Sequence, residues 1–131
     1  MKKLILFFIL ILVSGCGIQG FFINEPSMTL KTDKEVYYSA DIIHITSKIM
    51  SPINTDNASI RFYGIYTNRY RLDQTFPINL TKGKNTITLD YTSPKCNVCG
   101  GIREGTYQIS VDIIYNNEVY LNESVDVEIK Q

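Results

Sequence analysis

Residues Cys96 to Tyr115 read CNVCGGIREGTYQISVDIIY. A turn with two cysteines and a glycine pair leads into Gly105-Thr106-Tyr107. The odd positions Tyr107, Ile109, Val111, Ile113 and Tyr115 then alternate with Gln108, Ser110 and Asp112, and only Ile114 departs from the pattern. A period of two with one apolar side defines a half-buried strand rather than a helix.

The same period recurs on both sides of this stretch. Upstream, Met28 to Thr32 gives a short strand, and Val36-Tyr37-Tyr38 with the turn Ser39-Ala40-Asp41 leads into Ile42 to Met50. In that segment Ile43, Ile45, Ser47 and Ile49 share one side, while His44, Thr46 and Lys48 share the solvated one. Ala58 to Thr67 alternates Ile60 and Phe62 with Arg61 and Tyr63, and Gly64 marks a bulge or a close backbone approach. TNRYRLDQ is polar and is expected to be a loop; Phe76 to Leu80 is a short strand that Pro77 assigns to an edge. Asn85 to Tyr91 places Ile87, Leu89 and Tyr91 inside. Downstream, Asn116-Asn117 predicts a two-residue hairpin, because Asn tolerates the positive φ of a type I′ turn. Val119, Leu121, Val125, Val127 and Ile129 then share one side of the last strand, with a bulge expected at Glu123. Seven strands and no helical apolar spacing beyond the leader predict an all-β sandwich.

A Tyr two residues after a Gly, opening an alternating strand, resembles the tyrosine corner of immunoglobulin-like sandwiches. On Gly105-Thr106-Tyr107 and the alternation that follows, residues 28–131 resemble extracellular immunoglobulin-like and macroglobulin-like domains. That resemblance implies a fold, with the Tyr107 ring inside and its hydroxyl bonded back to the preceding turn. It implies no activity.

The N-terminus carries an address. Lys2 and Lys3 precede an uncharged apolar run that ends in Val13-Ser14-Gly15-Cys16, the pattern of a secretory signal. The tetrapeptide resembles the lipobox of prokaryotic lipoproteins, which implies removal of residues 1–15 and a lipid on Cys16. The uncharged run from Leu4 to Ile23 also has the length of an uncleaved membrane helix. Both readings place the domain on the extracytoplasmic side of a cell membrane, since lysines stay in the cytoplasm. Residues 16–27 form a tether in which Phe21 and Phe22 suit the lipid headgroup level or a first strand.

Of thirteen basic residues the leader removes two and of thirteen acidic ones none, which leaves a net charge of −2. No clustered Lys/Arg field is present, which excludes nucleic acid as a partner. The motifs G-x-S-x-G, H-E-x-x-H and a phosphate-binding Gly loop are missing, and one histidine gives little scope for acid–base work. The expectation is a protein with no catalytic residues and no cofactor.

Three features could still carry chemistry or binding. In an oxidising exterior Cys96 and Cys99 close into a disulfide, a local staple of about 2 kcal/mol. A zinc knuckle or a thiol-redox centre using the same pair are the alternatives. Zinc wants four ligands where this chain offers two thiols and a distant His44, and a redox thiol wants a helix N-terminus where this chain has a strand. The segment RFYGIYTNRYR concentrates Arg61, Tyr63, Tyr66, Arg69, Tyr70 and Arg71, residue types enriched where proteins bind one another. An ordinary strand and loop accounts for the same residues if the tyrosines are partly core. Asn57, Asn79 and Asn122 head N-glycosylation sequons; a lipobox beside sequons is similar to archaeal surface proteins, and the Ile, Asn and Lys content suits a low-GC bacterium equally. The expected function is that of a membrane-anchored, non-enzymatic binding or structural lipoprotein, with a protein partner at the cell surface.

Overall fold

In the computed structural model, residues 25–96 and 101–131 are described, and they form eight strands in two facing sheets. The strands are β1 (Ser27–Thr32), β2 (Val36–Tyr38), β3 (Ile42–Ser51), β4 (Thr55–Tyr66), β5 (Tyr70–Leu80), β6 (Gly83–Thr92), β7 (Gly105–Tyr115) and β8 (Glu118–Lys130). The smaller sheet has the order β1-β3-β6 and the larger β2-β8-β7-β4-β5. All neighbours are antiparallel except β2 and β8. This is an immunoglobulin-like sandwich.

The alternation read from the sequence fills the space between the sheets. Ile43, Ile45 and Ile49 of β3 face Ile60 and Phe62 of β4, Ile109, Val111 and Ile113 of β7, and Val127 and Ile129 of β8, all of them buried. Burying aliphatic side chains of this size stabilises by about 1.5–3 kcal/mol each. Ser47 occupies an inward position of β3 as predicted, fully buried, and its hydroxyl has no hydrogen-bond partner among the described residues.

Two tyrosines fasten the ends of strands. The Tyr107 hydroxyl donates to the carbonyl of Arg103 at 2.6 Å, while its half-buried ring rests against the core. This is the predicted corner, and it anchors the turn before β7. The second lies where the chain leaves the small sheet for the large one. There the Tyr37 ring is fully buried, its hydroxyl donates to Asp33 Oδ1 at 2.5 Å, and the Lys34 amide donates back to that hydroxyl at 2.9 Å. Asp33 Oδ1 also accepts the His44 amide at 3.0 Å. The Tyr37 hydroxyl, then the His44 amide, hold the Asp33 carboxyl below its ordinary range against the opposing effect of desolvation.

Several expectations need correction. Val36–Tyr38 is a strand in its own right, too short for a period to show, and pairs with Glu128 to Lys130. The predicted loop TNRYRLDQ is mostly strand: β5 begins at Tyr70, directly after a turn in which the Thr67 amide donates to the Arg69 carbonyl at 3.0 Å and Asn68 takes φ +67°. This half of β5 reads as polar because it is an edge strand whose inner face carries one large apolar residue, the buried Leu72. The last strand's bulge lies at Tyr120, between the pairs Ile114–Val119 and Ile113–Leu121, and Glu123 pairs regularly with Val111. The extra residue leaves Val119 exposed rather than in the core. Asn116 and Asn117, at φ +51° and +62°, form the predicted type I′ turn.

Candidate functional site

The outer face of the larger sheet is where the sequence-predicted Tyr/Arg residues meet. On β4, Arg61 and Tyr63 point away from the core because Ile60 and Phe62 point into it. At Gly64 the backbone of β7 comes close: a Cβ there would lie 2.3 Å from the Gln108 carbonyl oxygen and 2.8 Å from Ile109 Cα. The predicted close approach is therefore real, and no larger residue fits. Directly after it, Ile65 takes φ +51° and is fully buried. That left-handed residue interrupts the alternation, so Tyr63 and Tyr66, three positions apart, belong to one cluster.

The hairpin turn then brings Tyr70 between them. Its ring centroid lies 5.3 Å from that of Tyr63 and 5.1 Å from that of Tyr66, both edge-on. Such aromatic pairs add about 0.5–1.5 kcal/mol each beyond their burial. Arg61 stacks over Tyr63 at 4.6 Å and reaches Tyr70 at 6.0 Å. Its guanidinium donates twice to Asp73, Nε to Oδ1 at 2.8 Å and Nη2 to Oδ2 at 3.0 Å. This fork fixes Arg61 and holds the Asp73 carboxyl below its usual range. Arg71 Nε donates to Thr67 Oγ1 at 3.0 Å, bracing the turn, and Arg69 is exposed at its tip. Tyr66 and Tyr70 remain 60% and 43% exposed.

Beneath the aromatic cluster lies a polar floor. Register places Arg61, Asp112 and Asn122 in one row across β4, β7 and β8, and Asp73, Tyr63, Ser110 and Ser124 in the next. Asp112 is only 7% exposed although it points outward. It accepts hydrogen bonds from the Asn122 amide nitrogen and, at 3.3 Å, from the Tyr63 hydroxyl. Ser110, 6% exposed, shares a 2.8 Å hydrogen bond with Ser124. Burial, then the Asp112 charge, push the Tyr63 phenol above its ordinary value. A buried carboxylate is costly unless it is hydrogen-bonded, so Tyr63 and Asn122 are held in place by what they satisfy. Alternation marked Ser110 and Asp112 as outward and polar, but a single-strand pattern cannot show that neighbouring strands cover them.

The other predicted residues lie elsewhere. Asn57 and Asn79 are exposed on β4 and β5. Asn122 is exposed too, and its side-chain nitrogen, the atom a glycan would take, is the one bonded to Asp112. His44 sits on the solvated face of the smaller sheet as predicted, its Nδ1 2.6 Å from Asp90 Oδ1, which raises its pKa. Cys96 is buried, its amide donates to Ser39 Oγ at 2.8 Å, and the Ile102 amide donates to the Lys95 carbonyl at 3.1 Å. Burial and then Glu104 push the Cys96 thiol up. Cys99, the predicted disulfide partner, and Cys16, the predicted lipidation site, lie outside the described residues, as does the leader. Among the described residues no group of three or more His, Cys, Asp or Glu could hold a metal ion.

In fold, this is a CARDB-like β-sandwich. The chain is similar to the CARDB domain of the PF1109 protein from Pyrococcus furiosus, crystallised in complex with di-metal ions, at a TM-score of 0.54 and 16% identity over 81% of this chain and 88% of that one. The solution structure of the same domain gives 0.52 and 18% over 79% and 94%. A β-glucosidase from Listeria innocua also matches, at 0.51 and 18% identity, over 79% of this chain but only 16% of the enzyme. At these identities the likeness is one of fold. No family model matches the chain, and no curated protein matches it.

Proposed function

We propose that this protein is a non-enzymatic binding module, held on the outer side of a cell membrane through its N-terminal segment, which engages a protein partner with the outer face of its larger sheet. The observation that carries this reading is the preorganised cluster of Tyr63, Tyr66, Tyr70 and Arg61 over the Asp112 floor. Tyr and Arg supply large contact area at low entropic cost when they are already fixed. Here the Asp73 fork fixes Arg61, Asp112 fixes Tyr63, and two exposed rings remain for a partner. Anchoring rests on the lysines, the apolar run and Cys16 of the leader, whether as a lipid on Cys16 or as an uncleaved helix.

A thiol-redox role for Cys96 and Cys99 is less well supported. A reactive thiol needs a lowered pKa and access, and Cys96 has a raised pKa and is buried.

A photoreactive residue at position 66 of the full anchored chain, activated in intact cells, tests the binding face. The expected result is a discrete protein adduct that is absent when the same probe stands at Thr46 on the opposite face. Tyr70→Ala in the probe-bearing chain should weaken it at least roughly tenfold, as truncation of a central tyrosine does at protein interfaces. Equal adducts from both faces would contradict the assignment.

A further inference from the structure

The four sheet edges of this sandwich are not alike. β2 is three residues long, β1 is six residues preceded by Pro26, and β5 carries Pro77 in its middle. Short strands and prolines are among the devices that keep edges from pairing with other chains, and edge charges are another. β6 is neither short nor interrupted by proline, and its two charges, Lys84 and Asp90, are of opposite sign. Its ten residues hold an unbroken register with β3, from Ser51–Gly83 to Ile42–Thr92, and among the described residues no strand pairs with its other edge. Its inward residues Ile87 and Leu89 are only half-buried, and on β5 the inward Phe76 is 40% exposed, so an apolar margin runs along this side of the sandwich.

We propose that β6 pairs antiparallel with β6 of a second copy, joining the two small sheets into one of six strands. Charge selects both the occupant and the register. With Ile87 on the two-fold axis, Lys84 faces Asp90 of the other copy and Thr86 faces Thr88, each twice by symmetry. Opposite charges and threonine pairs are favourable cross-strand neighbours, and no like charges meet. A two-fold contact of this kind is self-complementary and closes at the dimer. A two-residue connection, Thr81-Lys82, joins β5 to β6 at one end, and the Tyr91 hydroxyl donates to the Arg71 carbonyl at 3.0 Å at the other, so β5 lies beneath β6.

The full chain in mild detergent should have twice the monomer mass by light scattering and should dissociate on dilution. Thr86→Cys/Thr88→Cys should give a covalent dimer under mild oxidation. Lys84→Glu or Asp90→Lys alone should reduce that dimer roughly tenfold, and the two together should restore it, since the swap re-forms both pairs. Rescue by the swap establishes the register. A monomer at every concentration overturns the proposal, as does a crosslink indifferent to the charges or an adduct from position 88 to a different protein in cells. If the charge variants do not fold, the mass of the unsubstituted chain decides.

Discussion

The two outer faces of this sandwich follow one rule of alternation and end up chemically different. On the smaller sheet, the outward side chains Thr29, Lys31, His44, Lys48, Thr86, Thr88 and Asp90 are exposed, and the closest contact among them is His44 with Asp90. On the larger sheet, a carboxylate and a hydroxyl in the same outward phase are buried under tyrosine, asparagine and serine. The small sheet shows an ordinary solvated surface. The large one is organised like the inside of a site: each floor residue fixes the side chain above it, and two rings stay open. Periodicity settles which way a residue points, whereas register with neighbouring strands settles what covers it.

The largest effect expected from breaking this difference is at Gly64, whose missing Cβ lets β4 close on β7 and precedes the Ile65 kink that gathers the tyrosines. Gly64→Ala should cost about 3 kcal/mol in urea unfolding, because backbone rather than a flexible side chain must move. Tyr107→Phe should cost about 1 kcal/mol, since the hydroxyl removed satisfies the Arg103 carbonyl. Ser47→Ala should go the other way and stabilise slightly, by up to about 1 kcal/mol, because it deletes a buried hydroxyl that has no partner.

Smaller, and opposite in sign on the two sides of neutrality, are the effects of pH. Asp33 and Asp73 have folded pKa values below the ordinary 3.8, so their contribution is present above that value and lost as pH falls through the folded ones. His44 has a folded pKa above 6.5 through Asp90. Its contribution is full below 6.5 and disappears as pH rises through the folded value. The unfolding midpoint of His44→Gln, followed from pH 2 to pH 9, should lose this alkaline slope while keeping the acid one below 3.8; an unchanged alkaline slope would remove the His44–Asp90 pair from the account.

Much of the fold was legible because most of it rests on period two: the core positions of β3, β4 and β7, the Tyr107 corner and the Asn116-Asn117 turn all follow from local pattern. The first half of β5 was not, because an edge strand with a thinly covered inner face need carry no more than Leu72. The Tyr120 bulge was hidden for another reason. Glu123 looks anomalous in the sequence, yet it pairs in register with Val111 and is exposed where Leu121 and Val125, on the same side of the strand, are half-buried. Of the binding face, the tyrosines and arginines were visible as a cluster in one segment. Asp73, Asp112 and Asn122 were not, since they join it only through pairing between β5, β4, β7 and β8.

The contrast between the faces comes down to two aspartates of the same outward phase, Asp112 on β7 and Asp90 on β6. Equilibrium urea unfolding of Asp112→Ala and Asp90→Ala in parallel tests it most directly. With the chain diluted to the monomer, Asp112→Ala should lose about 2 kcal/mol, because the Asn122 amide and the half-buried Tyr63 hydroxyl both lose a charged acceptor, and Asp90→Ala should cost under about 1 kcal/mol, the range of an exposed ion pair. Equal losses from the two would contradict the account.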